Sequence, residues 1–179
     1  MSKQVLVLSA SPRKGGNSDT LCDEFVRGAL EAGNQAEKIF LRDRTINYCT
    51  GCGVCYSTHK CVQKDDMAEI LGKMISADVI VMATPVYFYT MNAQMKTLID
   101  RTVPGYLKIS NKDFYFIVTA ADPDKSSLER TINGLHGYTE DCLDNAAEKG
   151  ILYAPGVWQA GEIQGTPAMK QAYEMGRNV

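Results

Sequence analysis

The chain has 179 residues, 45% of them hydrophobic and 22% charged, with a formal net charge of −2 at pH 7. That is the size and composition of a single domain (1–179) able to bury its own core without disulfides or metal, and it excludes disorder and low complexity. The absence of a basic patch or tail excludes nucleic acid and an anionic membrane as the main partner and leaves a small molecule.

No apolar stretch reaches membrane-spanning length, and Met1-Ser2-Lys3-Gln4 leads straight into the first apolar run, so the expectation is a cytoplasmic protein with reduced cysteines. That run, Val5-Leu6-Val7-Leu8, suits a strand buried on both faces. It empties into Ser9-Ala10-Ser11-Pro12-Arg13-Lys14-Gly15-Gly16-Asn17-Ser18, where hydroxyls, an amide and two cations precede a helix. Gly15 and Gly16 permit positive φ, so backbone N–H groups can turn inward, and the helix start adds unpaired amides to a loop that can wrap a phosphate. Neither the dinucleotide fingerprint nor the nucleoside-triphosphate loop is present.

From Ser18 to Gly33, Leu21, Cys22, Phe25, Val26, Ala29 and Leu30 mark one face of a helix, with Gly33 as its stop. A second strand is expected over about Ala36–Leu41, after which regular pattern is lost until Asp65. There Asp65 and Asp66 read as caps for a helix carrying Met67, Ile70, Leu71, Met74 and Ile75. Asp78 to Thr84 forms a third strand stopped by Pro85, and a helix follows over about Asn92–Arg101. Phe114 to Ala121 is a fourth strand, and a long helix is expected from about Lys125 to Lys149, weakened at Gly134 and Gly137 and closed by Gly150. Ile151 to Trp158 gives a fifth strand and Pro167 starts a last helix.

Five β-α repeats specify an α/β fold, a doubly wound five-stranded parallel sheet with helices on both faces. In the order 2-1-3-4-5 a crevice opens between the C-terminal ends of the first and third strands. Its second wall would be Thr84-Pro85-Val86-Tyr87-Phe88-Tyr89-Thr90-Met91, where three consecutive aromatics cannot all face a core and a planar ring could lie.

The Ser-x-Ser-x-Arg-Lys-Gly-Gly-Asn-Ser loop, together with Pro85-Val86-Tyr87-Phe88 and Met95-Lys96-Thr97-Leu98-Ile99-Asp100-Arg101, resembles the two signatures of the flavodoxin-like NAD(P)H-dependent FMN reductases. The resemblance extends from Lys3 to the Gly161–Gly165 stretch. It implies FMN phosphate contacts from Ser9, Ser11, Arg13, Gly16, Asn17 and Ser18, with Lys14 adding charge, and flavin-ring contacts from Pro85, Val86, Tyr87 and Phe88. A third contact loop is implied at Thr119, Ala120, Ala121 and Asp122. No catalytic side chain is expected, because hydride transfer from NAD(P)H belongs to the flavin.

Cys49, Cys52, Cys55 and Cys61 fall within thirteen residues, beside Gly51 and Gly53. Their spacing differs from the bacterial ferredoxin run in its last interval and lacks the proline that follows. It resembles the compact motif of iron–sulfur flavoproteins, which implies a [4Fe–4S] cluster; zinc and free thiols remain as alternatives at this stage. Two functions follow. One is an FMN-dependent NAD(P)H oxidoreductase with a small acceptor such as a quinone, a nitro or azo compound or a flavin. The other is an iron–sulfur flavoprotein fed by a ferredoxin-like partner. A homodimer or homotetramer is expected for either.

Overall fold

The computed structural model describes residues 2–179. Its elements are β1 (Gln4–Ser9), α1 (Asn17–Glu31), β2 (Gln35–Phe40), α2 (Val54–Thr58), α3 (Met67–Ser76), β3 (Val79–Tyr87), β4 (Thr90–Met91), α4 (Ala93–Asp100), β5 (Asp113–Thr119), α5 (Ser126–Cys142), β6 (Ala147–Ala154) and α6 (Pro167–Arg177). Five strands are parallel in the order β2-β1-β3-β5-β6, the expected doubly wound order, and two-residue β4 adds a sixth by pairing antiparallel to β3.

Side-chain alternation divides the core in two. Val5, Val7, Val79, Val81, Tyr115 and Ile117 face one side with Leu21, Phe25 and Ala29 of α1 and Ala172 of α6. Leu6, Leu8, Ile80, Met82, Phe114 and Phe116 face the other, under Ile70 and Met74 of α3, Leu98 of α4 and Leu128 and Leu135 of α5. Burial on both faces is why these strands read as continuous apolar runs.

Helices α1 and α6 approach backbone to backbone. A Cβ on Gly28 would lie 2.1 Å from the Tyr173 carbonyl oxygen and one on Gly176 2.0 Å from that of Phe25. Gly176→Ala is therefore expected to cost about 3 kcal/mol by forcing the helices apart. That corresponds to a melting temperature lower by about 6–12 °C, checked by thermal denaturation.

Four boundaries differ from the sequence reading. β3 continues through Pro85 to Tyr87. Ala83 bonds toward β1, so Pro85, two residues on, turns its missing N–H to that same side, where pairing with β1 has already ended at Ser9. α5 runs unbroken through Gly134 and Gly137 but ends at Cys142, because residues 147–149, expected to be helical, are drawn onto the open edge of β5. Lys149 is bulged out between Glu148 and Gly150, and Gly150 lies inside β6 against the Tyr115 ring. The fifth parallel strand thus ends at Ala154, leaving Val157 and Trp158 in the following loop. The stretch without pattern contains the short α2.

Candidate functional site

The loop after β1 is tied down from below. Ser9 Oγ donates to Asp19 Oδ1 at 2.8 Å, Gly15 N–H donates to Asp19 Oδ2 at 3.0 Å, and Lys38 Nζ reaches Asp19 Oδ1 at 2.9 Å. Burial works against the Lys38 ammonium, but hydrogen bonds to Asp23 and Asp19 outweigh it and raise its pKa. Gly15 has φ +66°, whereas Gly16 has φ −69° and is required for space instead: a Cβ there would sit 2.7 Å from Ser11 Oγ and 2.9 Å from the Arg13 carbonyl oxygen.

Gly16 caps α1 without a side-chain hydrogen bond, and among the described residues no partner is recorded for the N–H groups of Asn17, Ser18 or Asp19. Three unpaired amides at the positive end of a fifteen-residue helix are the kind of donors that can hold an anion. The side chains of Arg13 and Asn17 face the loop after β6: Arg13 Nη1 donates to the Trp158 carbonyl and Asn17 Nδ2 to the Gln159 carbonyl, each at 2.9 Å, while Asn17 Oδ1 accepts from Ile163 N–H at 3.3 Å.

Opposite this loop, β3 and β4 form a hairpin whose tip, Phe88 and Tyr89, has φ of +49° and +64°. Bulky residues in the left-handed region are strained, and Phe88 is 99% exposed. Asn92 fastens hairpin to loop. Its buried side chain accepts from Met95 N–H at 3.1 Å, capping α4, accepts from Thr84 Oγ1 at 3.2 Å, and donates to the Ala10 carbonyl at 2.5 Å. Reading Asn92 as a helix start missed this crosslink, since Ala10 is adjacent only in the folded sheet.

Between these walls lies a cleft of about 450 Å³, lined by Ser11, Pro12, Arg13, Gly16, Asn17, Ser18, Pro85, Val86, Tyr87, Phe88, Thr119, Ala120, Ala121, Val157 and Trp158. The structure thus brings together twelve of the fifteen residues expected around FMN. Ser9 stands behind the loop on Asp19, Lys14 is exposed outside the cleft, and Asp122 folds its own turn by accepting from Asp124 N–H at 2.9 Å. Pro12, Val157 and Trp158 were missed; a tryptophan exposed in a loop was the available signal for the last.

Cys49, Cys52, Cys55 and Cys61 line a second hollow with Arg101, Pro104 and Tyr56. Gly51 and Gly53, with φ of +67° and +71°, turn the backbone on either side of Cys52. Among the described residues no three of these sulfurs lie within 4.8 Å of one another. Cys22 is in the core, where burial pushes its thiol pKa up, and Cys142 is exposed on α5.

Asp65 does more than cap α3. It accepts from Met67 N–H at 3.2 Å, but it also receives both terminal nitrogens of Arg101, at 2.7 and 2.9 Å, and Asn47 N–H at 3.0 Å. Asp66 occupies the cap position without a capping bond and accepts from Thr45 N–H instead. The Arg101 guanidinium lowers the Asp65 pKa from 3.8 to about 2. Because the folded pKa is depressed, this pair's stabilisation of about 2 kcal/mol is present above pH 4 and disappears as pH falls toward 2. Asp65→Asn should flatten the acid limb of stability in that window, as measured by urea unfolding at stepped pH.

The family model for NADPH-dependent FMN reductases matches residues 4–131. The chain belongs to that family. Within the FMN reductase family it is similar to an iron–sulfur flavoprotein of Archaeoglobus fulgidus, 43% identical over 94 residues that cover 52% of this chain and 43% of that protein. It is also similar to one of Methanocaldococcus jannaschii, 37% identical over 138 residues that cover 75% of this chain and 70% of that protein. The matched stretch is therefore under half the length of the first relative. Among solved structures an azoreductase from Bacillus anthracis superposes over 100% of both chains with a TM-score of 0.76 at 17% identity, which shows the shared fold.

Proposed function

We propose that this FMN reductase family member is an FMN-dependent NAD(P)H oxidoreductase. Its flavin would lie in the β1/β3 cleft, with the phosphate against residues 11–18 and the ring between the 85–88 strand end and Thr119-Ala120. One observation carries this reading: a single cleft joins an uncapped helix N-terminus at one end to an apolar, aromatic strip at the other. When bound, FMN supplies the redox chemistry, taking hydride from reduced nicotinamide and passing electrons to a quinone, a nitro or azo compound or a flavin.

The side chains of the cleft have a different task. None of its lining residues is an Asp, Glu, His or Lys, so the task left to the cleft is to bind, orient and exclude water. Arg13 is the only formally charged lining residue, and its charge offsets that of a phosphate. The exposed aromatics Tyr48, Tyr56 and Phe88 support a homodimer or homotetramer, and the free thiols support a cytoplasmic setting.

A second reading is favoured by the four cysteines around one hollow and by the relatives named iron–sulfur flavoproteins. Cys49, Cys52, Cys55 and Cys61 would hold a [4Fe–4S] cluster, which would supply single-electron transfer from a ferredoxin-like partner to the flavin. The donor set fits: four thiols line one hollow, and the loop itself offers no carboxylate ligand.

The deciding experiment is an anaerobic absorption spectrum with iron and sulfide assays on the same fresh sample, followed by mixing with NADH, NADPH or a reduced ferredoxin. Flavin with NAD(P)H oxidation supports the first reading. Flavin with about four irons per chain and reduction by ferredoxin supports the second. Failure of folded protein to take up FMN removes both.

A further inference from the structure

We propose that Arg101, oriented by Asp65, is the positioning residue that sets the charge balance of the four-cysteine site, donating to the Cys61 sulfur and favouring the more negative state of a cluster bound there. The proposal rests on the cluster reading above.

Three observations lead to it. Arg101 is 2% exposed and is gripped two-pronged by Asp65, so its guanidinium plane cannot swing. From that fixed position Nη1 donates to the Asn47 carbonyl at 2.5 Å and Nη2 reaches Cys61 Sγ at 3.5 Å, which fastens both ends of the cysteine loop to the end of α4. Its Nε is buried without any partner.

A pair serving only to stabilise would be poorly explained by this arrangement. Replacing a buried ion pair with apolar groups is often neutral, and an unpaired buried N–H costs about 1–3 kcal/mol. A thiol is also a weak acceptor, whereas an anionic thiolate–iron–sulfide assembly is a strong one. The donors therefore suit an anion in the adjoining hollow. Asp100 also lines that hollow, but its carboxylate is held by Lys96 at 2.6 Å, leaving Arg101 as the cation in contact with a cysteine. Reduction adds one electron and asks neither residue to give or take a proton; the donor is the reduced ferredoxin-like partner in the protein and dithionite in the test. Net charge and hydrogen bonds to sulfur are what shift such a potential.

The test compares the full chain with Arg101→Gln and Asp65→Asn after anaerobic reconstitution with ferrous iron and sulfide. Bound FMN, iron and sulfide are counted, and the cluster is then titrated potentiometrically. Arg101→Gln should lower the reduced-to-oxidised ratio at fixed potential about tenfold, equal to about 59 mV for one electron. Asp65→Asn should move it the opposite way, because it leaves the guanidinium charge unneutralised. A merely structural pair would give shifts of the same sign or none, and that result overturns the inference while the cluster reading stands. If Arg101→Gln cannot retain iron, Asp65→Asn decides: a raised midpoint supports the proposal, and an unchanged or lowered one overturns it. Absence of iron from the unaltered chain with FMN still bound overturns the cluster reading and this inference together.

Discussion

Gly16→Ala is expected to weaken FMN binding at least about a hundredfold, close to 3 kcal/mol. The added methyl would meet Ser11 Oγ at 2.7 Å and the Arg13 carbonyl oxygen at 2.9 Å. Neither can retreat freely, because Ser11 Oγ donates to that same carbonyl at 2.8 Å and Gly16 N–H donates to it at 3.0 Å. The loop must open, carrying the first amides of α1 away from the anion they would hold. The sheet beneath should survive, since Gly16 lies beyond the last residue of β1. Gly72→Ala is the matched control: it sits in α3 with nothing within 4 Å of an added Cβ, and it should leave FMN binding unchanged. Fluorescence titration of FMN against both variants, with circular dichroism to check folding, reads the difference. Equal affinities would show that the phosphate does not lie in this loop.

Cys52→Ala is expected to reduce iron and sulfide after anaerobic reconstitution from about four per chain to near zero, with FMN affinity unaltered. Cys52 is turned into the hollow by the left-handed glycines on either side, and no other described cysteine lines it beyond Cys49, Cys55 and Cys61. Flavin binding should be separable because none of the four lines the cleft proposed for FMN. Cys142→Ala removes an exposed thiol on α5 and should retain full iron. Equal iron in the two variants would end the cluster reading and return the cysteines to free-thiol chemistry.

The two sites are joined by one short element. α4 is capped at its start by Asn92, which locks the β3–β4 hairpin to the loop after β1, and at its end by Arg101, which grips the cysteine loop. An eight-residue helix rises only about 12 Å, so the two sites lie close along the chain.

Much of this was legible in the residues. Apolar runs bounded by glycine, proline and hydroxyl residues marked the strands, because burial on both faces demands continuous hydrophobicity whatever the neighbours are, and their alternation with helices implied a parallel doubly wound sheet with its crevice at the strand ends. The anion loop and the cysteine spacing were likewise local patterns. Tertiary structure decided what depends on chain segments far apart in sequence. The open edge of β5 drew Ala147 to Lys149 out of a helical pattern, since backbone pairing there outweighs weak local propensity. Ser9 proved to face Asp19 rather than the cleft, and Trp158 entered the cleft through the loop that Arg13 and Asn17 hold. Asp65 read as a cap because its cation, Arg101, is 36 residues away and meets it only when α4 packs against the cysteine loop. Local spacing encodes the elements and their faces; the partner of a buried charge is chosen by packing.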